Sequence, residues 1–315
     1  MMQDGAATPR TYAVRTLGCQ MNEHDSERMA GLLEQAGLLP VDQVPEAAAR
    51  ATDAGDMGAD VVVINTCSVR ENAATRLFGN LGQLAAVKRE RPGMQIAVGG
   101  CLAQQMREGI VERAPWVDAV LGTHNLDVLP ALLERARHNA EAAVEIEESL
   151  KVFPSTLPTR RESAFAAWVS ISVGCNNTCT FCIVPFTRGR ERSRDPHSII
   201  NECKELWENG YKEITLLGQN VDSYLWYGGG AKKDFDKASE MQKATALHFA
   251  QLLEMVAQAV PEMRIRFATS NPQDMSLDVF RMMAKYDNIC KYVHLPVQSG
   301  SDNILKAMNR QHTRQ

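Results

Sequence analysis

The chain has 315 residues, 44% of them hydrophobic, and a formal net charge of -4, which is enough apolar material for about two packed domains. Bulk basicity is excluded, so any nucleic-acid contact must rest on a local patch. Eight cysteines are too sparse for a secreted disulfide framework. No apolar run nears the roughly 18 residues of a membrane span, and Met1 to Arg10 lacks the layout of a signal peptide. The expected setting is therefore a reducing cytoplasm, with thiols kept for metal.

Residues 11–135 alternate short apolar runs with amphipathic stretches. The predicted strands are Tyr12–Leu17, Val61–Thr66, Gln95–Gly99 and Asp118–Leu121; the predicted helices lie near Asp25–Ala36, Glu71–Glu90, Ala103–Arg113 and Leu126–Arg135. This pattern predicts βαβ units on a parallel sheet, an α/β fold. Residues 42–58, rich in Ala, Asp and Gly, read as a surface insertion. Residues 136–166 lose periodicity around Pro154, Pro158 and Arg160-Arg161 and read as a linker.

A second alternating unit spans 167–315. Its predicted strands are Ala167–Val173, Glu213–Leu217, Arg264–Ala268 and Tyr292–Val297, separated by helices near Pro196–Asn209, Thr245–Ala259, Ser276–Lys285 and Asp302–Met308. Residues 226–243, with three consecutive glycines, read as a long flexible loop. The unit holds 149 residues, whereas a complete (β/α)8 barrel takes about 250. Only four βα units fit, so a partial, truncated barrel is expected, the chain being a piece of a longer protein.

Cys175, Cys179 and Cys182 stand in the run Gly174-Cys175-Asn176-Asn177-Thr178-Cys179-Thr180-Phe181-Cys182, directly after a predicted strand. The spacing C-x3-C-x2-C offers three thiolates to a cubane iron–sulfur cluster, which takes four when it only carries electrons. The next cysteine, Cys203, is 21 residues on, so one iron stays open to substrate or cofactor. Zinc, the rival metal, wants four closed ligands, and His197 is the nearest histidine, 15 residues past Cys182. Cys19, Cys67 and Cys101 also each follow a predicted strand. In a parallel sheet such ends share one edge, so these three can converge on a second cluster; three buried structural cysteines are the plainer alternative. Cys203 and Cys290 fit neither set and read as core residues.

In these motifs the chain resembles the radical S-adenosylmethionine methylthiotransferases. The cysteine triplet with Phe181 before its last member matches the radical signature. Thr16-Leu17-Gly18-Cys19-Gln20-Met21-Asn22, Asn65-Thr66-Cys67-Ser68-Val69-Arg70-Glu71 and Gly99-Gly100-Cys101 resemble that family's amino-terminal domain. Pro185-Phe186-Thr187-Arg188-Gly189-Arg190-Glu191, Leu217-Gly218-Gln219-Asn220 and His294-Leu295-Pro296-Val297-Gln298-Ser299-Gly300-Ser301 match further on. Within the family, the strings around Cys19 and Cys67 are most similar to the branch acting on N6-isopentenyladenosine in tRNA. Other branches carry Cys-Pro-Lys-Asn or Cys-Lys-Val-Asn at the first site. The family's remaining barrel portion and its carboxy-terminal TRAM domain are missing here, and the 42–58 insertion is longer than typical.

The resemblance implies two 4Fe-4S clusters, on Cys175, Cys179 and Cys182 and on Cys19, Cys67 and Cys101. It implies S-adenosylmethionine as cofactor, bound at the first and cleaved to a 5′-deoxyadenosyl radical that takes hydrogen from C2 of the target adenine. The second cluster would hold the sulfide that leaves as a methylthio group. The resemblance assigns Gly218, Gln219, Asn220, Ser270, Pro296, Gln298 and Ser299 to S-adenosylmethionine, at strand ends where such barrels bind ligands; Asn271 is weighed with Ser270. Arg188, Arg190, Arg192 and Arg194 form the dense basic run. At i, i+2 spacing in an extended loop they would point one way, toward phosphates of the tRNA anticodon arm; a solvated loop paired with Glu191 and Asp195 is the alternative. The implied protein is a monomer, off the membrane, served by an electron donor such as flavodoxin or ferredoxin. The rival functions are methylthiolation of another acceptor (threonylcarbamoyl-adenosine tRNA or a ribosomal-protein aspartate) and a non-catalytic iron–sulfur module.

Overall fold

A computed structural model describes residues 10–53, 55–68, 72–139, 141–148 and 157–314. Val69-Arg70-Glu71 of the Cys67 motif, Pro154 of the expected linker, nearly all of Met1 to Arg10 and the final Gln315 lie outside the described residues. The chain divides into two compact units, Met1–Arg160 and Arg161–Gln315.

The first unit runs β1 (Thr11–Leu17), α1 (Gln20–Gln35), β2 (Leu39–Pro40), α2 (Pro45–Ala48), β3 (Val61–Thr66), α3 (Ala73–Glu90), β4 (Gln95–Gly100), α4 (Cys101–Met106), α5 (Gly109–Arg113), β5 (Ala119–Leu121), α6 (Leu129–His138) and β6 (Ala143–Glu145). Its strands form one parallel sheet in the order β2-β1-β3-β4-β5-β6. Helices cover both faces, which is why β3 reads Val-Val-Val-Ile without alternation and is buried throughout. Val62, Ile64, Ile96 and Val98 pack with Leu77, Leu81 and Leu84 of α3. Val61, Val63 and Ala97 face Met29 and Leu33 of α1 and Leu129 of α6. The order of strands reverses between β1 and β3, the place where such sheets open a ligand crevice.

The 42–58 segment lies mostly at the surface, as expected, and is anchored by Ala47 of α2 in the core and by the buried Asp56, paired with Arg91. Two expectations need correction here. The helix expected over Ala103–Arg113 breaks in two because Arg107 takes φ +52. The segment read as linker supplies β6 and the end of α6.

The second unit runs β7 (Ala166–Ser170), β8 (Ser172–Val173), α7 (Val184–Thr187), β9 (Arg192–Ser193), α8 (Pro196–Glu208), β10 (Glu213–Leu217), β11 (Leu225–Trp226), α9 (Glu240–Ala244), β12 (Leu247–His248), α10 (Phe249–Ala259), β13 (Arg264–Ala268), α11 (Leu277–Lys285) and α12 (Asp302–Ala307). β13, β10 and β7 form a parallel sheet in that order. Ile199, Cys203, Phe249, Leu252 and Val256 close its helical side. These are βα units of an open barrel segment; among the described residues no closed barrel forms. The strand expected at Tyr292–Val297 is absent. Only an isolated bridge, Ile265 to Ile289, extends the sheet, and Pro296, which has no N–H to give, sits in the expected run. The first expected strand is two: after Ser170 the chain leaves the sheet, and β8 pairs antiparallel with β9. The 226–243 segment is not a bare loop, since it carries a 3-10 turn at Lys232–Lys237 and the capped α9.

Candidate metal centres

In the first unit, β1, β3 and β4 end level, with Leu17 opposite Thr66 and Thr66 opposite Gly100. Cys19 caps α1, Cys67 directly follows β3, and Cys101 opens α4. All three cysteines therefore stand at the carboxyl edge of adjacent strands. The Cys67 N–H donates to Leu17 O at 3.1 Å, tying two of these ends together. Beneath them lies a buried polar knot that sequence reasoning missed. Asn22 Nδ2 donates to Asn65 Oδ1 (3.1 Å) and to Thr66 O (3.4 Å), while Asn65 Nδ2 donates to Asn22 O (2.7 Å) and Ser26 Oγ (3.0 Å). Asn22 Oδ1 accepts from the Cys19 N–H at 3.3 Å and from its thiol at 3.5 Å. Both asparagines are fully buried, so each lost partner leaves an expensive orphan; the knot fixes the chain ends that present the sulfurs. Gly100 takes φ +95, and a Cβ there would overlap Asn65 Oδ1 and lie 2.5 Å from Thr66 O. Only glycine suits that turn.

In the second unit the three cysteines share one irregular loop after β8. Gly174 enters it at φ +76, where a Cβ would lie 2.5 Å from Gly189 O and from Arg190 O. The Cys175 N–H donates to Gly189 O, and the Cys182 N–H to Cys179 O, both at 3.1 Å. The Asn177 N–H donates to Cys175 Sγ at 3.4 Å. Burial pushes the Cys175 thiol up to about 11, with Glu191, Cys182 and Cys179 adding in the same direction and the Asn177 N–H opposing. Burial also raises Cys182. Among the described residues no group of three or more His, Cys, Asp or Glu side chains converges on one ion. A cubane asks for a wider spread, since each thiolate binds a different iron. Cys203 is fully buried on α8 and burial pushes it to about 12; Cys290 is half-buried beside Ile265.

The residues expected at strand ends behave differently from one another. Gln219 Oε1 accepts the Gly174 N–H at 2.6 Å, so this side chain positions the cysteine loop. Asn220 Nδ2 donates to Asp274 Oδ2 at 2.6 Å. A Cβ on Gly218 would crowd Ser172 Oγ. Ser270 is buried and its N–H donates to His294 O at 3.1 Å. Asn271 N–H donates to Asp222 Oδ2 at 3.0 Å. Pro296, Gln298 and Ser299 lie in an irregular turn rather than at a strand end, with Gln298 at φ +67 and the Ser299 N–H on Val297 O at 2.8 Å. Asp222 Oδ1 and Asn220 Oδ1 are buried without a hydrogen-bond partner. Burial pushes Asp222 up to about 6, against the Asn271 N–H and the Ser270 hydroxyl, with Asp274 adding to the rise. Thr269, next to Ser270, is held at φ +73, a strained conformation for a β-branched residue. Asp222 and Asp274 left no sequence signal beyond their place near strand ends.

The four arginines do not share a direction. Arg188 and Arg194 are buried, whereas Arg190 is exposed and Arg192 half-buried. Arg194 pairs with Glu202 and donates to Ser198 Oγ (2.9 Å) and Ser170 O (3.3 Å). The i, i+2 reading fails because Arg188 ends the short helix α7 and only Arg192–Ser193 is extended. The alternative, a solvated loop paired with Glu191 and Asp195, does not hold at Glu191 either, which is buried, accepting from Ser223 Oγ at 2.6 Å and facing Lys232 Nζ at 3.6 Å.

Comparison with known proteins adds five findings. Residues 11–122 match the uncharacterized protein family UPF0004, and residues 169–315 match the radical SAM superfamily. A protein of Salinispora arenicola named tRNA-2-methylthio-N(6)-dimethylallyladenosine synthase is 56% identical over 98% of this chain and 57% of its own length. One of the same name from Streptomyces avermitilis is 56% identical over 96% of this chain and 54% of its own. The chain thus spans about half the length of the curated relatives it matches. The fold is similar to that of TsrM from Kitasatospora setae, a radical S-adenosylmethionine methyltransferase solved with cobalamin and a [4Fe-4S] cluster, at TM-score 0.56 and 13% identity, covering 97% of this chain and 65% of that one. The two matched regions follow one another in this order, the second a radical SAM region, and nearly the whole chain is similar to about half the length of proteins named tRNA-2-methylthio-N(6)-dimethylallyladenosine synthase.

Proposed function

We propose that this chain is the catalytic portion of a tRNA methylthiotransferase, adding a methylthio group to C2 of N6-isopentenyladenosine beside the anticodon. The observation that carries the reading is the pair of cysteine trios, one at the carboxyl edge of the six-stranded parallel sheet and one on the loop after β8, each lacking a fourth cysteine. In this reading Cys175, Cys179 and Cys182 hold one 4Fe-4S cluster and Cys19, Cys67 and Cys101 the other. When bound, these clusters supply the electron that cleaves S-adenosylmethionine and the sulfur that is transferred.

The residues around them have separable tasks. Gln219 holds the entrance of the cysteine loop through the Gly174 N–H. Asn220 keeps a buried oxygen without a donor, which suits a ligand bringing an ammonium or hydroxyl group, as S-adenosylmethionine does, and the Asp222 carboxylate lies close by in sequence. Gly218 is buried and lets Ser172 approach where a side chain would stand, and Ser270, Pro296, Gln298 and Ser299 complete the proposed cofactor rim. Arg190 and Arg192 are the members of the basic run placed to meet anticodon-arm phosphates. The proposed partners are tRNA and a flavodoxin- or ferredoxin-like donor, with the protein a cytoplasmic monomer; among the described residues no helix is long and apolar enough to cross a membrane.

The test is product analysis of isopentenylated tRNA after anaerobic reconstitution. The 2-methylthio nucleoside is expected. Formation of 5′-deoxyadenosine with no modified nucleoside points to another acceptor, and absence of both, with iron bound, to a non-catalytic module.

A further inference from the structure

The cysteine loop of the second unit has no regular structure from Gly174 to Cys179, yet it is held from a part of the chain 131 positions away. The Thr180 N–H donates to Met308 O at 3.1 Å and Thr180 Oγ1 to Ala307 O at 3.2 Å. Asn309 Nδ2 donates to both Thr178 O and Thr178 Oγ1 at 2.8 Å. Arg310 Nη1 donates to Cys179 Sγ at 3.5 Å, and its Nη2 donates to Pro296 O at 2.7 Å. The α12 helix aims these side chains. Leu305 anchors it in the interior, and Asn309 leaves it at φ +53, a left-handed exit that asparagine tolerates. The Arg310 N–H then closes on Leu305 O at 2.9 Å.

We propose that Asn309 and Arg310 form a clasp over this loop, in which Arg310 is a positioning residue that holds Cys179 and tunes whatever cluster the loop carries. The proposal rests on the reading that Cys175, Cys179 and Cys182 bind an iron–sulfur cluster. A guanidinium N–H on a thiolate is a charge-assisted hydrogen bond. It favours the more negative, reduced form of a cluster, and hydrogen bonds to sulfur are among the terms that set cluster potentials. Arg310 Nε is buried and makes no hydrogen bond, a costly state for a donor; an inorganic sulfide arriving with the cluster is an acceptor that would relieve it. Asn309 acts on the backbone alone. The two residues therefore separate two functions, loop order and sulfur electrostatics.

The experiment uses the full chain carrying Asn309→Ala, Arg310→Met or Arg310→Lys, the last retaining the charge without the two-pronged geometry. Deuterium uptake of residues 176–182 is measured without iron, and the cluster's reduction potential after anaerobic reconstitution in a Cys67→Ala background, which leaves one trio intact. Asn309→Ala is expected to speed loop exchange about tenfold and leave the potential in place. Arg310→Met is expected to move the potential negative, with Arg310→Lys between it and the parent. Parental exchange in Asn309→Ala together with a parental potential in Arg310→Met overturns the clasp; if Arg310→Met does not fold, Arg310→Lys decides the second arm. Failure of the parent to load iron overturns the cluster reading instead, and the exchange arm still judges the clasp.

Discussion

In the first unit the cysteines are 48 and 34 residues apart and stand side by side because β1, β3 and β4 are neighbours ending in register. In the second, Cys175 to Cys182 spans eight residues of a single loop, and the difficulty is reversed. Proximity is local, but order must be imported from Gln219 and from residues 307–310. A site assembled by topology is rigid once the sheet folds. A site assembled by spacing needs clamps, because loop backbone has few partners of its own.

Removing single ligands breaks the comparison most sharply. Cys175→Ala is expected to abolish 5′-deoxyadenosine formation, and Cys101→Ala to spare it while stopping methylthio transfer, as read by product chromatography. Iron should fall in each from about eight to about four per chain. The rigidity of the first site is tested by Gly100→Ala, which forces a side chain into a left-handed turn against Asn65. Thermal unfolding should show a loss of about 3 kcal/mol, with iron retained on the second trio.

A smaller effect, of opposite sign, is expected at Asp222. Its pKa of about 6 in the folded chain lies above the ordinary 3.8, so the native state binds the proton more tightly and stability falls as pH rises from about 4 to 6. Asp222→Asn removes that penalty, about 2 to 3 kcal/mol above pH 6. Its melting temperature should exceed the parent's at pH 7.5 and approach it at pH 4.5. The mildest change is expected from Arg190→Ala or Arg192→Ala. Each should lower the salt dependence of tRNA binding by about one phosphate contact, whereas Arg194→Ala should act on stability through its buried pair with Glu202.

Much of this was legible in the sequence. Val61–Thr66, Glu213–Leu217 and Arg264–Ala268 are strands at their expected boundaries, because β-branched or apolar runs between polar ends leave little choice of register. Cys67 and Cys101 directly follow their strands for the same reason. The fourth strand of the second unit failed although Tyr292–Val297 has the right composition, since composition does not supply a neighbouring strand to pair with. The arginine run failed because α7 intervenes and turns an assumed extended loop into a helix end. Asn22 and Asn65 were visible only as members of motifs, and Arg310 not at all. No local pattern announces a contact with Cys179 made from so far along the chain.

The six-stranded sheet also carries a consequence for handling the protein. Its rims are short, the two-residue β2 ending in Pro40 and the three-residue β6, while the long strands β1, β3 and β4 lie inside. Short margins offer few exposed amides for another chain to zip onto. Edge-to-edge aggregation from this sheet should therefore stay low even in preparations stripped of iron.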